Sequence, residues 1–117
     1  MDENVSDSEF QKVARVADVP EGRMCEINAG EHNLVLCHTA DGWFAVDNVC
    51  THAYARLSEG RLRGTRLIRP LHGGSFDCRT GAAIGQPAVT SLRTYAVRVT
   101  GGDVEIAFGG ADPVPGQ

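Results

Sequence analysis

The 117-residue sequence predicts one all-β domain of antiparallel strands. Short runs of Val, Leu and Ile alternate with polar residues, which is the period of a half-buried strand. Turn signals separate the runs, many of them among the 14 glycines, and Asp41-Gly42 is the strongest because both residues tolerate positive φ. We find no internal repeat and no convincing helix. A chain of this length folds around a single modest core.

The predicted strands fall into three groups. An early meander is followed by a short hairpin that turns at Gly64-Thr65 and by a final hairpin that turns at Gly101-Gly102. In the final hairpin Tyr95, Val97 and Val99 share one face of their strand. Residues 1–10 read as a disordered acidic leader and residues 109–117 as a flexible tail, which leaves residues 11–108 as the domain. The expected strands cover residues 13–16, 24–28, 34–39, 43–46, 61–63, 66–68, 95–99 and 104–108.

Composition excludes several classes of partner. The net charge of −4 argues against nucleic acid, which selects a basic surface, and instead suits docking onto a positively charged protein. No apolar run reaches membrane-spanning length, and the N-terminus is unlike a signal peptide. We therefore expect no membrane association, a cytoplasmic location and reduced cysteines. The sequence leaves open that Cys25 faces Cys37 across the early hairpin; His32 and His38 are expected to be exposed.

Two short stretches carry the chemistry, Cys50-Thr51-His52 and Arg69-Pro70-Leu71-His72-Gly73. Each contains a histidine and lies between predicted strands. A thiolate and an imidazole in each of two loops would suit an iron–sulfur cluster that has Cys on one iron and His on the other. Cys-x-His alone is weak evidence, but the pair of stretches together is specific. The second loop should then begin with cysteine, and position 69 is arginine.

With the surrounding residues Gly74-Ser75-Phe76-Asp77 and Thr80-Gly81, these stretches resemble those of Rieske-type [2Fe–2S] ferredoxins. The closest subgroup is the small ferredoxins of multicomponent aromatic-ring-hydroxylating dioxygenases. The resemblance implies an antiparallel β-sandwich with a small cluster-binding subdomain of two loops, at about residues 48–88. It also implies that Cys50 binds one iron and that His52 and His72 bind the other.

The family pattern places the second thiolate at the position of Arg69. The sequence Pro70-Leu71-His72 keeps its register with the pattern, so this is a substitution and not an alignment shift. A guanidinium has no lone pair to donate and stays protonated. The sequence therefore predicts that cluster binding is deficient as the chain is written. Cys78 lies six residues past His72, which carries it away from the loop tip, and Cys25 and Cys37 lie on the early hairpin. We expect a structural or incidental role for all three.

The resemblance implies an electron carrier between a flavoprotein reductase and a terminal oxygenase, and not a stand-alone catalyst. An intact version is expected at the low end of the Rieske potential range, toward about −150 mV. High-potential Rieske proteins of respiratory chains, which the pattern also resembles, have a disulfide between the two loops and two hydroxyls that donate to the cluster sulfurs. The matching positions here are Ala55 and Leu71 for the disulfide and Gly74 and Phe76 for the hydroxyls, so neither feature can form. The alternative is a cluster-free Rieske-like interaction module, similar to the small subunit of some nitrite reductases.

Overall fold

The run Leu34-Val35-Leu36-Cys37 has no polar face, so a strand formed from it must be covered on both sides. In the structure, a computed structural model, all four side chains are fully buried within strand β3 (His32–Thr39). The structure describes residues 10–30, 32–50, 55–68, 75–84 and 92–108, and of residues 49, 50 and 55 it describes the backbone alone. β3 therefore packs against other parts of the described chain on both of its faces.

A six-stranded antiparallel sheet forms the main body, in the order β1-β12-β11-β4-β3-β2. β11 joins its two halves, since Thr94 and Tyr95 pair with β4 while residues 96–100 pair with β12. The sheet thereby curves toward a near-barrel. Its other strands are β1 (Phe10–Arg15), β2 (Met24–Ala29), β4 (Gly42–Asp47), β11 (Thr94–Thr100) and β12 (Asp103–Ala107).

Two smaller antiparallel sheets form the subdomain between β4 and β11. β5 (Val49–Cys50) pairs with β6 (Ala55–Arg56), and a four-stranded sheet follows in the order β10-β9-β8-β7. The described residues contain two 3₁₀ turns, Val16–Asp18 and Leu57–Glu59, and no helix long and apolar enough to span a bilayer. The four strands are β7 (Arg61–Arg63), β8 (Arg66–Ile68), β9 (Ser75–Asp77) and β10 (Ala83–Ile84).

Each face of β3 contributes to its own apolar cluster. Leu34 and Leu36 pack inside the near-barrel with residues of β4, β11 and β12. Val35 and Cys37, on the opposite face, pack against the subdomain. The subdomain contributes buried side chains from its 3₁₀ turn, from β8, from β9 and from the residue that follows β9: Leu57, Leu67, Phe76 and Cys78.

The all-β antiparallel prediction is confirmed, and most expected strands lie where the alternation placed them. β1 begins at Phe10, earlier than the strand expected from Val13, because Phe10 pairs with Ala107 of β12. The expectation that His32 and His38 are exposed is wrong, since both are half-buried. The His38 ring stacks on Trp43 with 3.9 Å between centroids, and its Nδ1 lies 2.7 Å from the Val19 carbonyl oxygen.

The possible pairing of Cys25 with Cys37 is also absent. The register of β2 and β3 sets Cys37 opposite Met24 and Cys25 opposite Leu36. Neighbouring positions of a strand face opposite sides of the sheet, so the two thiols belong to different apolar clusters. Cys37 instead meets Cys78.

A tyrosine–carboxylate contact fastens the end of β4 to β11. The Tyr95 hydroxyl donates to Asp47 Oδ1 at 2.8 Å, and the Asp47 amide donates to the Arg93 carbonyl at 2.9 Å. Tyr95 is only 7% exposed. Burial and the hydrogen bond to Asp47 raise the pKa of Tyr95 to about 12. The contact holds the strand immediately before the first histidine stretch.

Asn48 connects the main sheet to the beginning and the end of the β5–β6 hairpin. Its side chain is fully buried. Its Nδ2 donates to Ser58 Oγ at 3.0 Å, and its Oδ1 accepts from the Ser58 amide at 2.7 Å. The Asn48 carbonyl accepts from the Leu57 amide at 2.7 Å, and the Asn48 amide donates to the Asn33 carbonyl at 3.0 Å. One asparagine therefore fixes both ends of the segment that contains Cys50 and His52.

Replacing Tyr95 with phenylalanine should change the alkaline stability of the protein. The raised pKa of Tyr95 means that its contribution to stability is complete below about pH 10, the unfolded value, and is lost as pH rises through about 12. The parent should therefore lose up to about 3 kcal/mol relative to Tyr95→Phe over that range. Urea unfolding of both proteins between pH 9 and pH 12 measures this difference, and parallel curves would contradict it.

Replacing Asn48 with alanine should destabilise the fold by about 2–3 kcal/mol, because the fully buried Asn48 side chain is lost and the part-buried Ser58 amide loses its acceptor. Hydrogen exchange should accelerate at the Ser58 amide more than in β11. The matched control is Asn28→Ala, which removes an exposed acceptor of the Asn33 side chain and should cost only about 0.5 kcal/mol. Equal melting temperatures for the two variants would show that Asn48 does not hold the hairpin.

Candidate functional site

Two hairpins place the predicted ligand loops. In the first, Cys50 pairs with Ala55, so residues 51–54 connect the last paired positions of β5 and β6. In the second, Ile68 pairs with Ser75, so residues 69–74 connect β8 and β9. His52, Arg69 and His72 lie outside the described residues. The geometry of the site therefore rests on the strands from which the two loops start.

The bases of both hairpins rest on one apolar cluster. Leu57 follows β6 directly, while Leu67 and Phe76 are a cross-strand pair one position inside the end of the β8–β9 ladder. All three side chains are at most 1% exposed. The β7–β8 hairpin lies between the two hairpin bases in the chain. An ion pair of 3.5 Å between Arg56 and Glu26 adds a contact between β6 and β2.

A second contact stabilises the subdomain beyond β9, where Thr80-Gly81 lies at a turn. Gly81 has φ +79°, and a Cβ at this position would collide with the Leu92 carbonyl oxygen. The Leu92 amide donates to the Gly81 carbonyl at 2.7 Å. Glycine is required here by the close approach as well as by the left-handed conformation. The contact thus joins the residue that precedes residues 82–91, a segment that includes β10, to the residue that follows it.

The β8–β9 ladder fixes the register of the residues that precede Arg69 in the sequence. Three consecutive pairs, from Arg66 with Asp77 to Ile68 with Ser75, fix the register of these strands. Arg69 is the next residue after the last pair, as Thr51 is in the first hairpin. The described register contains no bulge that could bring another residue to this place.

The described cysteine side chains are engaged elsewhere. Cys37 on β3 and Cys78 after β9 are both buried and contact each other between the main sheet and the subdomain. The hydrogen bond with Cys78 and burial raise the pKa of Cys37, so this thiol stays protonated. Cys25 packs against the interior of the near-barrel. The hydrogen bond between Cys37 and Cys78 lowers the pKa of Cys78. A structural role for the three thiols stays a prediction.

The remaining donor set does not fit a mixed Cys/His iron–sulfur centre. Such a centre takes two thiolates on one iron and two imidazoles on the other. The predicted ligands Cys50, His52 and His72 would supply one thiolate and two imidazoles, and the residue at the fourth position is a cation without a lone pair. This set stays a prediction from the sequence, which assigned no role to Asn48 or to the contact of Gly81 with Leu92.

Comparison with known proteins identifies the family. The family model for the Rieske [2Fe-2S] domain matches residues 9–96. The chain is 37% identical over 89 residues to the ferredoxin component of the naphthalene 1,2-dioxygenase system of Pseudomonas aeruginosa, covering 76% of this chain and 86% of the relative. It is 38% identical over 99 residues to the 3-phenylpropionate/cinnamic acid dioxygenase ferredoxin subunit of Escherichia coli K12, covering 84% and 92%.

Solved structures agree with this assignment. A chain in the complex of reduced oxygenase and oxidised ferredoxin of carbazole 1,9a-dioxygenase superposes with a TM-score of 0.79 at 33% identity, covering 84% of this chain and 92% of that chain. The small subunit of an NADPH nitrite reductase superposes with a TM-score of 0.70 at 20% identity, covering 83% and 96%, which shows a shared fold alone. The chain therefore belongs to the Rieske [2Fe–2S] domain family, among its ferredoxin components, which carry electrons and are not stand-alone catalysts.

Proposed function

We propose that this chain is the ferredoxin of an aromatic-ring-hydroxylating dioxygenase system, between a flavoprotein reductase and a terminal oxygenase. The observation that carries the proposal is the pair of hairpins on one apolar base, because they lead directly into the two stretches that hold Cys50, His52 and His72. The identities of 37% and 38% to ferredoxin components support it. The complex between a similar ferredoxin and its oxygenase supports the choice of partner.

The proposal includes a cluster deficiency caused by Arg69. Two ferric ions and two sulfides carry an excess of two positive charges, which two thiolates would neutralise. Cys50 alone leaves one of these charges uncompensated, and the guanidinium of Arg69 adds another. Holding uncompensated charge away from water costs several kcal/mol. The chain as written therefore retains the fold and docking surface of a carrier without a stable [2Fe–2S] centre.

A cluster-free interaction module is the second candidate. The likeness to a nitrite reductase small subunit favours it, but that likeness extends to the fold alone. Three of the four ligand positions also hold the residue that the family pattern requires. A module that binds no iron has no chemical need for Cys50, His52 and His72. We therefore favour the carrier. A cytoplasmic location, where thiols stay reduced, is part of the same proposal.

The protein purified as written should lack the red-brown colour and the rhombic reduced-state spin signal of a Rieske centre. Iron and acid-labile sulfide should each be well below one per chain after anaerobic reconstitution, because one thiolate is missing. Metal and sulfide analysis measures this directly. Finding about two irons and two sulfides per chain would show that the site tolerates Arg69.

The Arg69→Cys variant should gain the cluster. It restores a thiolate at the one position that departs from the pattern and removes a cation, so reconstitution should yield about two irons and two sulfides per chain and a potential toward about −150 mV. The reconstituted variant should pass electrons from a ferredoxin reductase to an oxygenase.

The matched control is Arg66→Cys, which makes the same substitution on the outer face of β8 and should bind no more iron than the parent. If Arg69→Cys also remains without iron and sulfide, the loops have diverged beyond one residue. The interaction module then becomes the better description of this chain.

A further inference from the structure

Three guanidinium groups share the outer face of the β7–β8 hairpin. Arg63 pairs with Arg66 across the two strands, and Arg61 lies two residues before Arg63 on the same face. All three residues are exposed. Leu62 and Leu67, the intervening pair, point into the apolar cluster beneath the subdomain. We call the outer face formed by Arg61, Arg63 and Arg66 the arginine face.

No carboxylate of the described residues forms an ion pair with the arginine face. Asp77 pairs with Arg66 in the ladder, but its carboxylate accepts from Arg79 at 2.9 and 3.1 Å. The ion pairs among described residues involve Lys12, Arg56, Arg79 and Arg98 instead. Among the described residues, nothing therefore competes with a partner protein for an ion pair with these three guanidinium groups.

Protection of a sheet edge explains the arginine face only in part. β7 is an edge strand of the four-stranded sheet, and charged residues on an edge discourage pairing with other chains. This accounts for Arg61 and Arg63. Arg66, however, lies on β8, which is already paired on both sides. Like charges directly opposite each other destabilise a sheet, so the Arg63–Arg66 pair has a cost that folding does not explain.

The charge of this region is opposite to that of the rest of the chain. Residues 55–68 contain four arginines and one glutamate, whereas the remainder contains seven basic and fourteen acidic residues. The net charge of −4 therefore conceals a basic surface on the subdomain. Guanidinium groups bind carboxylates through paired hydrogen bonds, so the chemistry that matches this face is an acidic protein surface.

The arginine face also lies next to the predicted redox loops in the chain. β8 ends one residue before Arg69, and β7 begins after the 3₁₀ turn that follows the first hairpin. We propose that the arginine face docks a carboxylate-rich patch of the terminal oxygenase. This inference rests on the proposed function, since it takes the oxygenase as the partner. It reverses the sign of the docking surface expected from the net charge.

The test measures binding of the protein as written, without a cluster, to the purified terminal oxygenase of its source organism. Isothermal titration at several salt concentrations should give an affinity that falls as salt rises, as for opposite charges. The triple variant Arg61→Gln/Arg63→Gln/Arg66→Gln should bind at least about tenfold more weakly with a shallower salt dependence. Its melting temperature should not fall, because the like-charged pair is removed.

The matched control is Lys12→Gln/Arg15→Gln/Arg23→Gln, which removes three exposed cations elsewhere and gives the same change in net charge. It should bind the oxygenase within about twofold of the parent. Equal loss in both triple variants, unchanged binding in the arginine-face variant, or no binding by the parent would overturn the proposal. So would preferential binding of this face to the flavoprotein reductase or to a duplex oligonucleotide. Arg69→Cys reconstitution tests the carrier function separately, since it reports on the cluster and not on docking.

Discussion

The fold depends on a strand that is apolar on both faces. β3 can be stable only when the near-barrel covers Leu34 and Leu36 and the subdomain covers Val35 and Cys37. Removing either cover would expose two apolar side chains to water at a cost of about 1.5–3 kcal/mol each. The subdomain is therefore part of the folding unit of the domain, and its position over β3 is determined by packing.

The strands that lead into the two predicted ligand loops are held by contacts of their own. Asn48 fixes the first hairpin through four hydrogen bonds, and the buried Leu67–Phe76 pair anchors the second. These contacts join described residues outside the two loops. The strands beneath the loops have their own buried packing, and our proposal that Arg69 prevents cluster binding requires no change in it.

Local patterns in the sequence were sufficient for the strands and for the motif. Alternating runs and the Asp41-Gly42 turn predict most of the ladders, because side-chain direction has a period of two in any strand. The run 34–37 is continuously apolar, which indicates a strand buried on both faces. The alternating pattern predicts only strands that are buried on one face. Composition and spacing do not predict two of the contacts. Cys37 and Cys78 are distant along the chain, and the contact of Asn48 with Ser58 depends on the path of the intervening hairpin.

The fold shows how charge is distributed over the surface, which the net charge of the chain does not. Net charge adds residues from every surface, whereas a docking partner meets only one of them. The ladder register places Arg63 beside Arg66, and this juxtaposition depends on a hairpin turn at Gly64, which adopts φ +62°. Sequence reasoning had identified the turn and both strands, and the basic face follows from them only when register and strand order are known.

The ladder between β1 and β12 bears on how fast the chain can fold. It pairs Phe10 with Ala107, so one edge of the sheet closes only after nearly all the intervening residues have been gathered. Contacts of such sequence separation carry a large loop-closure entropy, and domains rich in them fold in milliseconds to seconds. During that time β12 presents an unpaired edge. Newly made protein is thus most exposed to association with other chains before its first strand has docked.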